Sequence, residues 1–110
     1  MRSLRFIVNR QSITQDPKCD FSGLVPGTNG YLKAEFSFSP DWNGMSKVAA
    51  FYSPLGIEYP PQILEDGKTC NIPAEALAKS SFRIQVMGKN ADDLIIVTNK
   101  LTVIQNGGRS

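Results

Sequence analysis

The chain has 110 residues, enough for one domain, and its 41% hydrophobic and 20% charged residues are ordinary for a globular protein. Its 12 Lys and Arg against 10 Asp and Glu give a net charge of +2, without the dense basic patch of a protein that binds nucleic acid by neutralising phosphates. The absence of histidine removes the commonest general base and metal ligand, and two cysteines are too few for a structural zinc site.

The N-terminal segment carries no recognisable targeting signal. Its apolar run, Phe6-Ile7-Val8, is far shorter than a signal-peptide core or a membrane span. We therefore expect a soluble, non-secreted protein whose Cys19 and Cys70 are free thiols, because disulfides form mainly in oxidising compartments. A bridge between the two stays open at this stage, since only coordinates can exclude one.

The first strands alternate between apolar and polar residues, which is the period of a half-buried strand. Near the N-terminus, Leu4, Phe6 and Val8 are predicted to face the core. The clearest alternation runs from Tyr31 to Ser39. Its predicted inward positions are Leu32, Ala34, Phe36 and Phe38.

The middle of the chain predicts shorter elements. Small and aromatic residues over Lys47–Tyr52 predict a covered central strand. Ile57–Leu64 is predicted to be an edge strand, because Pro60-Pro61 lacks two backbone donors. A short strand is expected at Thr69–Ile72, followed by one helical turn near residues 73–79 that starts with proline.

Three segments complete the predicted strands. Phe82, Ile84 and Val86 alternate with polar or outward positions. The continuous apolar run Leu94–Val97 predicts a strand that is buried on both faces. It resumes at Leu101–Ile104 after a predicted kink or bulge at Asn99-Lys100.

Together these segments predict an all-β protein, an antiparallel Ig-like β-sandwich of about seven short strands with one short helical turn near residues 73–79. A small barrel is the alternative architecture. We expect one domain over residues 1–106 and a flexible C-terminal tail over residues 107–110, either native or left by truncation.

The sequence nominates no catalytic, cofactor-binding or metal-binding residue. The adjacent carboxylates Glu65-Asp66 and Asp92-Asp93 lie at turn signals, where acidic side chains cap turns and stay solvated. Without histidine, a nucleophile would need a lysine or carboxylate as its base, and no spacing suggests one. Cys19 lies beside Lys18 and Asp20, and we interpret it as an ordinary loop thiol.

Outward positions of the predicted strands are the candidate interface. These residues are Tyr31, Lys33, Glu35, Arg83, Gln85 and Met87. Trp42 lies in a turn and is predicted to plug the open end of the core, because a small domain needs its large apolar area there. The other interpretation, an exposed anchor for a partner, stays open.

Five segments in this order resemble a known family. They are Phe36–Gly44, Lys47–Phe51, Thr69–Leu77, Phe82–Gly88 and Val97–Lys100. The pattern is similar to small Ig-like domains in structural proteins of tailed bacteriophages that infect Gram-positive bacteria. The likeness covers roughly residues 31 to 100, and no catalytic residue comes with it.

The resemblance implies a non-enzymatic virion protein: a decoration, fibre-base or baseplate adaptor module made in the host cytoplasm. It would bind other virion proteins or copies of itself as a homo-oligomer, and neither nucleic acid nor a membrane. Two alternatives stay open. One is a small phage-encoded inhibitor of a host or defence protein. The other is a carbohydrate-binding module, which needs Tyr52, Tyr59 and Trp42 on one surface.

Overall fold

A computed structural model describes residues 1–105, which form nine strands, one α-helical turn and one turn of 3-10 helix at Pro40–Trp42. The strands and the helix are β1 (Arg2–Asn9), β2 (Ser12–Gln15), β3 (Leu32–Phe38), β4 (Ser46–Tyr52), β5 (Gln62–Ile63), β6 (Thr69–Asn71), α1 (Ala74–Leu77), β7 (Ser81–Lys89), β8 (Ile95–Val97) and β9 (Leu101–Ile104). The end of the predicted domain at residue 106 and the predicted tail at residues 107–110 lie outside the described residues.

The strands form two sheets around one core, as an all-β sandwich requires. Sheet A has the order β2-β1-β3-β6, and sheet B has the order β5-β4-β7-β8. Strands β8 and β9 lie along the same side of β7. Strand β8 pairs with residues 87–89 of β7, and β9 pairs with residues 81–84. The mostly-β character and the helical turn within residues 73–79 are confirmed.

One strand pair departs from the predicted antiparallel arrangement, because β1 and β3 run parallel. Strand β2 forms a hairpin with β1 and occupies its outer side. The turn-rich segment 16–31 then returns the chain to the end of the sheet where β1 begins, and Arg2 N donates to Tyr31 O at 2.8 Å. Strand β3 therefore starts beside the start of β1 and runs in the same direction.

The predicted alternation is confirmed on the inner faces. Sheet A buries Leu4, Phe6 and Val8 of β1, and sheet B buries the inward residues of β7. Strand β4 lies between β5 and β7, as expected for a covered strand. Strand β5 is an edge strand as predicted, but the predicted bounds Ile57–Leu64 are wrong, because the strand forms only at Gln62–Ile63, after the two prolines that lack backbone donors.

The prediction that Leu94–Val97 is buried on both faces is wrong. Leu94 is 54% exposed and Ile95 is 60% exposed. The central position of sheet B belongs to β7, which leaves β8 at the edge with a strand on one side only. An apolar run has the same pattern in a covered strand and in an apolar edge, so the sequence could not separate the two.

The β8–β9 connection closes one side of the sandwich. The chain breaks its pairing with β7 between Val97 and Leu101, where the sequence predicted a kink. Here the side chain of Asn99 accepts a hydrogen bond from Ile13 N at 2.9 Å, and Asn99 N donates to Gln11 O at 3.1 Å. These bonds tie the end of sheet A to the edge of sheet B.

Trp42 is fully buried at one end of the core. Its ring lies 5.2 Å from that of Phe38, centroid to centroid, and its Nε1 donates to Arg10 O at 2.8 Å. On the opposite side the indole packs so closely on Gly88 of β7 that an added Cβ would lie 2.8 Å from Cζ3 of Trp42. Glycine is therefore the residue that lets the indole reach sheet B.

Gly88→Ala is expected to lower the free energy of unfolding by about 1–3 kcal/mol, because the new methyl group overpacks the indole. Urea unfolding measures this change in the wild-type background and in Trp42→Phe, whose smaller ring leaves space. In the Trp42→Phe background the loss should fall to less than about half. Equal losses in both backgrounds would contradict the contact.

Candidate interaction surface

The six predicted interface residues lie on two different surfaces. Tyr31, Lys33 and Glu35 belong to β3 and the residue before it, on the outer side of sheet A. The other three belong to β7, on the outer side of sheet B. The sandwich therefore does not bring the six together, and each outer face has to be considered separately.

The outer face of sheet A is polar and internally paired. Arg5 and Glu35 are cross-strand partners, and their side chains form an ion pair with 3.6 Å between Nε and Oε1. Lys33 lies between Ser3 and Asn71 in the register. Such exposed pairs contribute little to stability, about 0–1 kcal/mol, and are typical of a solvated face. Only Tyr31, 51% exposed before β3, adds a large ring there.

The outer face of sheet B carries an apolar row that crosses four strands. Ile63 of β5 is the register partner of Val48 of β4, which is the partner of Met87 of β7, which in turn is the partner of Val97 of β8. Ile63 is 69% exposed, and the other three are half-buried. A continuous apolar row on an outer face is typical of an interaction surface. We call these four residues the apolar row.

A hydrogen-bonded group of side chains lies beside the apolar row. The hydroxyl of Tyr52 donates to Gln85 Oε1 at 3.1 Å, and Gln85 Nε2 donates to Thr98 O at 2.8 Å. The ammonium group of Lys100 lies 4.1 Å from the centroid of the Tyr52 ring, a cation–π contact. We call Tyr52, Gln85 and Lys100 the platform. Its bonds fix side chains that would otherwise lose rotamer freedom on binding.

Two charges modify the platform. Partial burial, followed by the negative charge of Glu58, raises the pKa of Tyr52 above its usual value, so its hydroxyl keeps its proton under alkaline conditions in which an exposed tyrosine ionises. Arg83 lies opposite Tyr52 and Thr102 in the register and is exposed. The platform side of sheet B thus presents two cations, Arg83 and Lys100, beside the apolar row.

The aromatic rings required by the carbohydrate-binding alternative do not share a surface. Trp42 is fully buried in the core, and Tyr59 is half-buried against it. Tyr52 alone lies on an outer face, with Lys100 over its ring. These three rings therefore do not form a common surface on which a sugar could stack.

The acidic residues at the turns make local contacts. Asp66 accepts hydrogen bonds from Thr69 Oγ1, Lys68 N and Thr69 N, and these bonds lower its pKa to about 2. In the β7–β8 turn, the carboxylate of Asp93 forms an ion pair with Lys89, with 3.3 Å between Oδ1 and Nζ. Within residues 1–105, no three cysteine or carboxylate side chains are close enough to hold a metal ion.

Both cysteines are free thiols, so the open question of a bridge is answered. Cys70 of β6 is buried in the core, and Cys19 is half-buried in the segment before β3. Burial, with a contribution from the charge of Asp66, raises the pKa of the Cys70 thiol to about 12. A thiol with this pKa is not a nucleophile at neutral pH.

Sequence reasoning missed three members of the apolar row. It found Met87 from the outward parity of β7 but did not name Val48, Ile63 or Val97. The alternation within each strand does predict which residues face outward, since Val48 alternates with the buried Ala49. The pairing of β4 with β5 and of β7 with β8, which aligns the four side chains, is a long-range property that no single strand shows.

No helix within residues 1–105 has the length and apolar character needed to span a membrane. Comparison of the chain with models of protein families, with curated proteins and with solved structures finds no match.

The buried thiol gives a pH dependence. Above pH 9 the unfolded chain loses the Cys70 proton while the folded chain keeps it up to about pH 12, so stability should fall as the pH rises through this window. Between pH 8 and pH 10, urea unfolding of the wild type should lose about 1 kcal/mol more than Cys70→Ala, in which this ionisation is absent. Equal losses would show that the thiol is not protected.

Proposed function

We propose that the chain is a non-enzymatic structural module of a tailed-bacteriophage particle, a decoration, fibre-base or baseplate adaptor domain. It acts through protein contacts on the outer face of sheet B. The observation that carries this proposal is the apolar row, which crosses β5, β4, β7 and β8 beside the platform.

The two outer faces differ in the way that a one-sided binding module needs. On sheet A the Arg5–Glu35 pair satisfies its charges internally and leaves a solvated surface. On sheet B, burial of the apolar row against another protein would remove apolar area from water at about 25 cal/mol per Å². The platform beside it is already held by hydrogen bonds, which limits the entropy lost on docking.

The motifs between residues 31 and 100 support the phage assignment and the Ig-like character of the sandwich, both of which are part of the proposal. The partners are other virion proteins or further copies of the chain in a homo-oligomer. The location is the virion, after synthesis in the host cytoplasm. Neither nucleic acid nor a membrane is a partner.

The second candidate is a small phage-encoded inhibitor that binds a host or defence protein. The exposed cations Arg83 and Lys100 next to an apolar row favour it, because a few basic and aromatic side chains can concentrate the binding energy. It predicts a protein that does not form closed oligomers. The mass in solution therefore separates the two candidates.

Met87→Glu is expected to disrupt self-association, because it places a charge in the middle of the apolar row. Light scattering over a hundredfold concentration range should give a closed oligomer for the wild type and a smaller species for Met87→Glu. Ile7→Glu is the matched control, since Ile7 is also half-buried and lies on the outer face of sheet A between Thr14 and Ser37. Its mass should equal that of the wild type.

A strictly monomeric wild type would contradict the homo-oligomer and favour the inhibitor. Equal effects of Met87→Glu and Ile7→Glu would contradict the assignment of the contact to sheet B. Circular dichroism of both variants checks that each remains folded.

A further inference from the structure

The edge of sheet B at β8 is apolar and exposed. Leu94-Ile95-Ile96-Val97 contains neither a charge nor a proline, and Leu94 and Ile95 are more than half exposed. A groove of about 560 Å³ lies along this strand, bounded on its other side by Arg10, Gln11 and Asp41. Natural proteins protect edge strands with charges, prolines or covering segments, because a bare edge pairs with other strands.

The backbone of β8 has unused hydrogen-bonding groups. Asn90 N donates to Leu94 O and Thr98 N donates to Val86 O, which fixes the alternation of the β7–β8 ladder. Ile95 and Val97 therefore direct their N–H and C=O groups away from β7. Among residues 1–105, only Val97 O of these four groups has a partner, Gln11 Nε2 at 3.3 Å.

Three other edge strands of the sandwich, β5, β2 and β6, have protection. Strand β5 follows Pro60-Pro61. On β2, Ile13 N donates to the side chain of Asn99. On β6, Thr69 N donates to the side chain of Asp66. Strand β8 has only the single long bond from Gln11.

We propose that β8 pairs with β8 of a second copy of this chain, antiparallel about a two-fold axis. The inference rests on the proposed function and names one partner of sheet B. In the register that uses all the unused groups, Ile95 lies opposite Val97 of the second copy, and Val97 opposite its Ile95. Each such pair exchanges two backbone bonds, so four N–H···O bonds form across the axis.

This register also matches side chains. Val97, the end of the apolar row, lies beside Ile95 of the second copy, so the row continues across the axis. The pair is therefore self-complementary in its backbone hydrogen bonds and in its apolar contact.

Pairing of β8 between copies has to accommodate the existing hydrogen bond from Gln11 to Val97 O. Gln11 Nε2 holds one lone pair of Val97 O at 3.3 Å, and a carbonyl oxygen accepts two hydrogen bonds. The incoming N–H can use the second lone pair, or the exposed Gln11 side chain can move aside. Since the paired strand is short, we expect a dimer weaker than standard interfaces, which bury about 1,200–2,000 Å².

Ile95→Lys is expected to raise the dissociation constant of the pair about tenfold or more, since an edge lysine opposes strand pairing. Analytical ultracentrifugation over a hundredfold concentration range measures it. Ile104→Lys on β9 is the matched control, because Ile104 is 58% exposed against 60% for Ile95 and lies on the same side of β7. Equal effects of the two variants would overturn the proposal.

The results also separate this inference from the proposed function. A mass that falls with Met87→Glu but not with Ile95→Lys overturns strand pairing and leaves the module standing. A mass that falls with Ile95→Lys but not with Met87→Glu supports strand pairing and contradicts the use of the apolar row. A monomeric wild type at every concentration overturns the strand pair.

Discussion

The contact between the Trp42 indole and Gly88 is the constraint on which the rest of the structure depends. It joins the end of sheet A to the central strand of sheet B through a distance that leaves no space for a side chain. The indole Nε1 also holds the β1–β2 turn through Arg10 O, and Gln11 in that turn bonds to Asn99. Trp42 therefore sets both the position of β7 and the closure of the sandwich beside β8.

The same constraint explains why the two faces of β7 differ. Its inner residues are fully buried and Gly88 is the one position with no side chain, so the strand is fixed against the core. Its outer residues face away from the core, where Gln85 is part of the platform and Met87 is part of the apolar row. A rigid strand that holds Met87 of the apolar row beside the platform is a physical basis for binding with little loss of entropy.

Local patterns in the sequence predicted most of the inner face but not the topology. Alternation placed Leu4 and Phe36 inward because each strand alone shows its period. Strand β2 was missed, since its four residues contain one apolar side chain, Ile13. The parallel β1–β3 pair depends on the path of the 16–31 segment, and the exposed edge at β8 depends on which strands the β7–β8 hairpin lies beside. Neither is a local property of the sequence. For the same reason the predicted interface combined two opposite faces.

Amide hydrogen exchange measured by NMR at low and high protein concentration tests most directly whether copies of the chain associate through the β8 edge of sheet B. The N–H groups of Ile95 and Val97 have no acceptor within residues 1–105, so both should exchange quickly in dilute protein. The account predicts that both become protected at high concentration, while the amide of Ile104 on the neighbouring strand keeps its rate. Equally fast exchange of Ile95 and Val97 at both concentrations would contradict the pairing of β8 between copies.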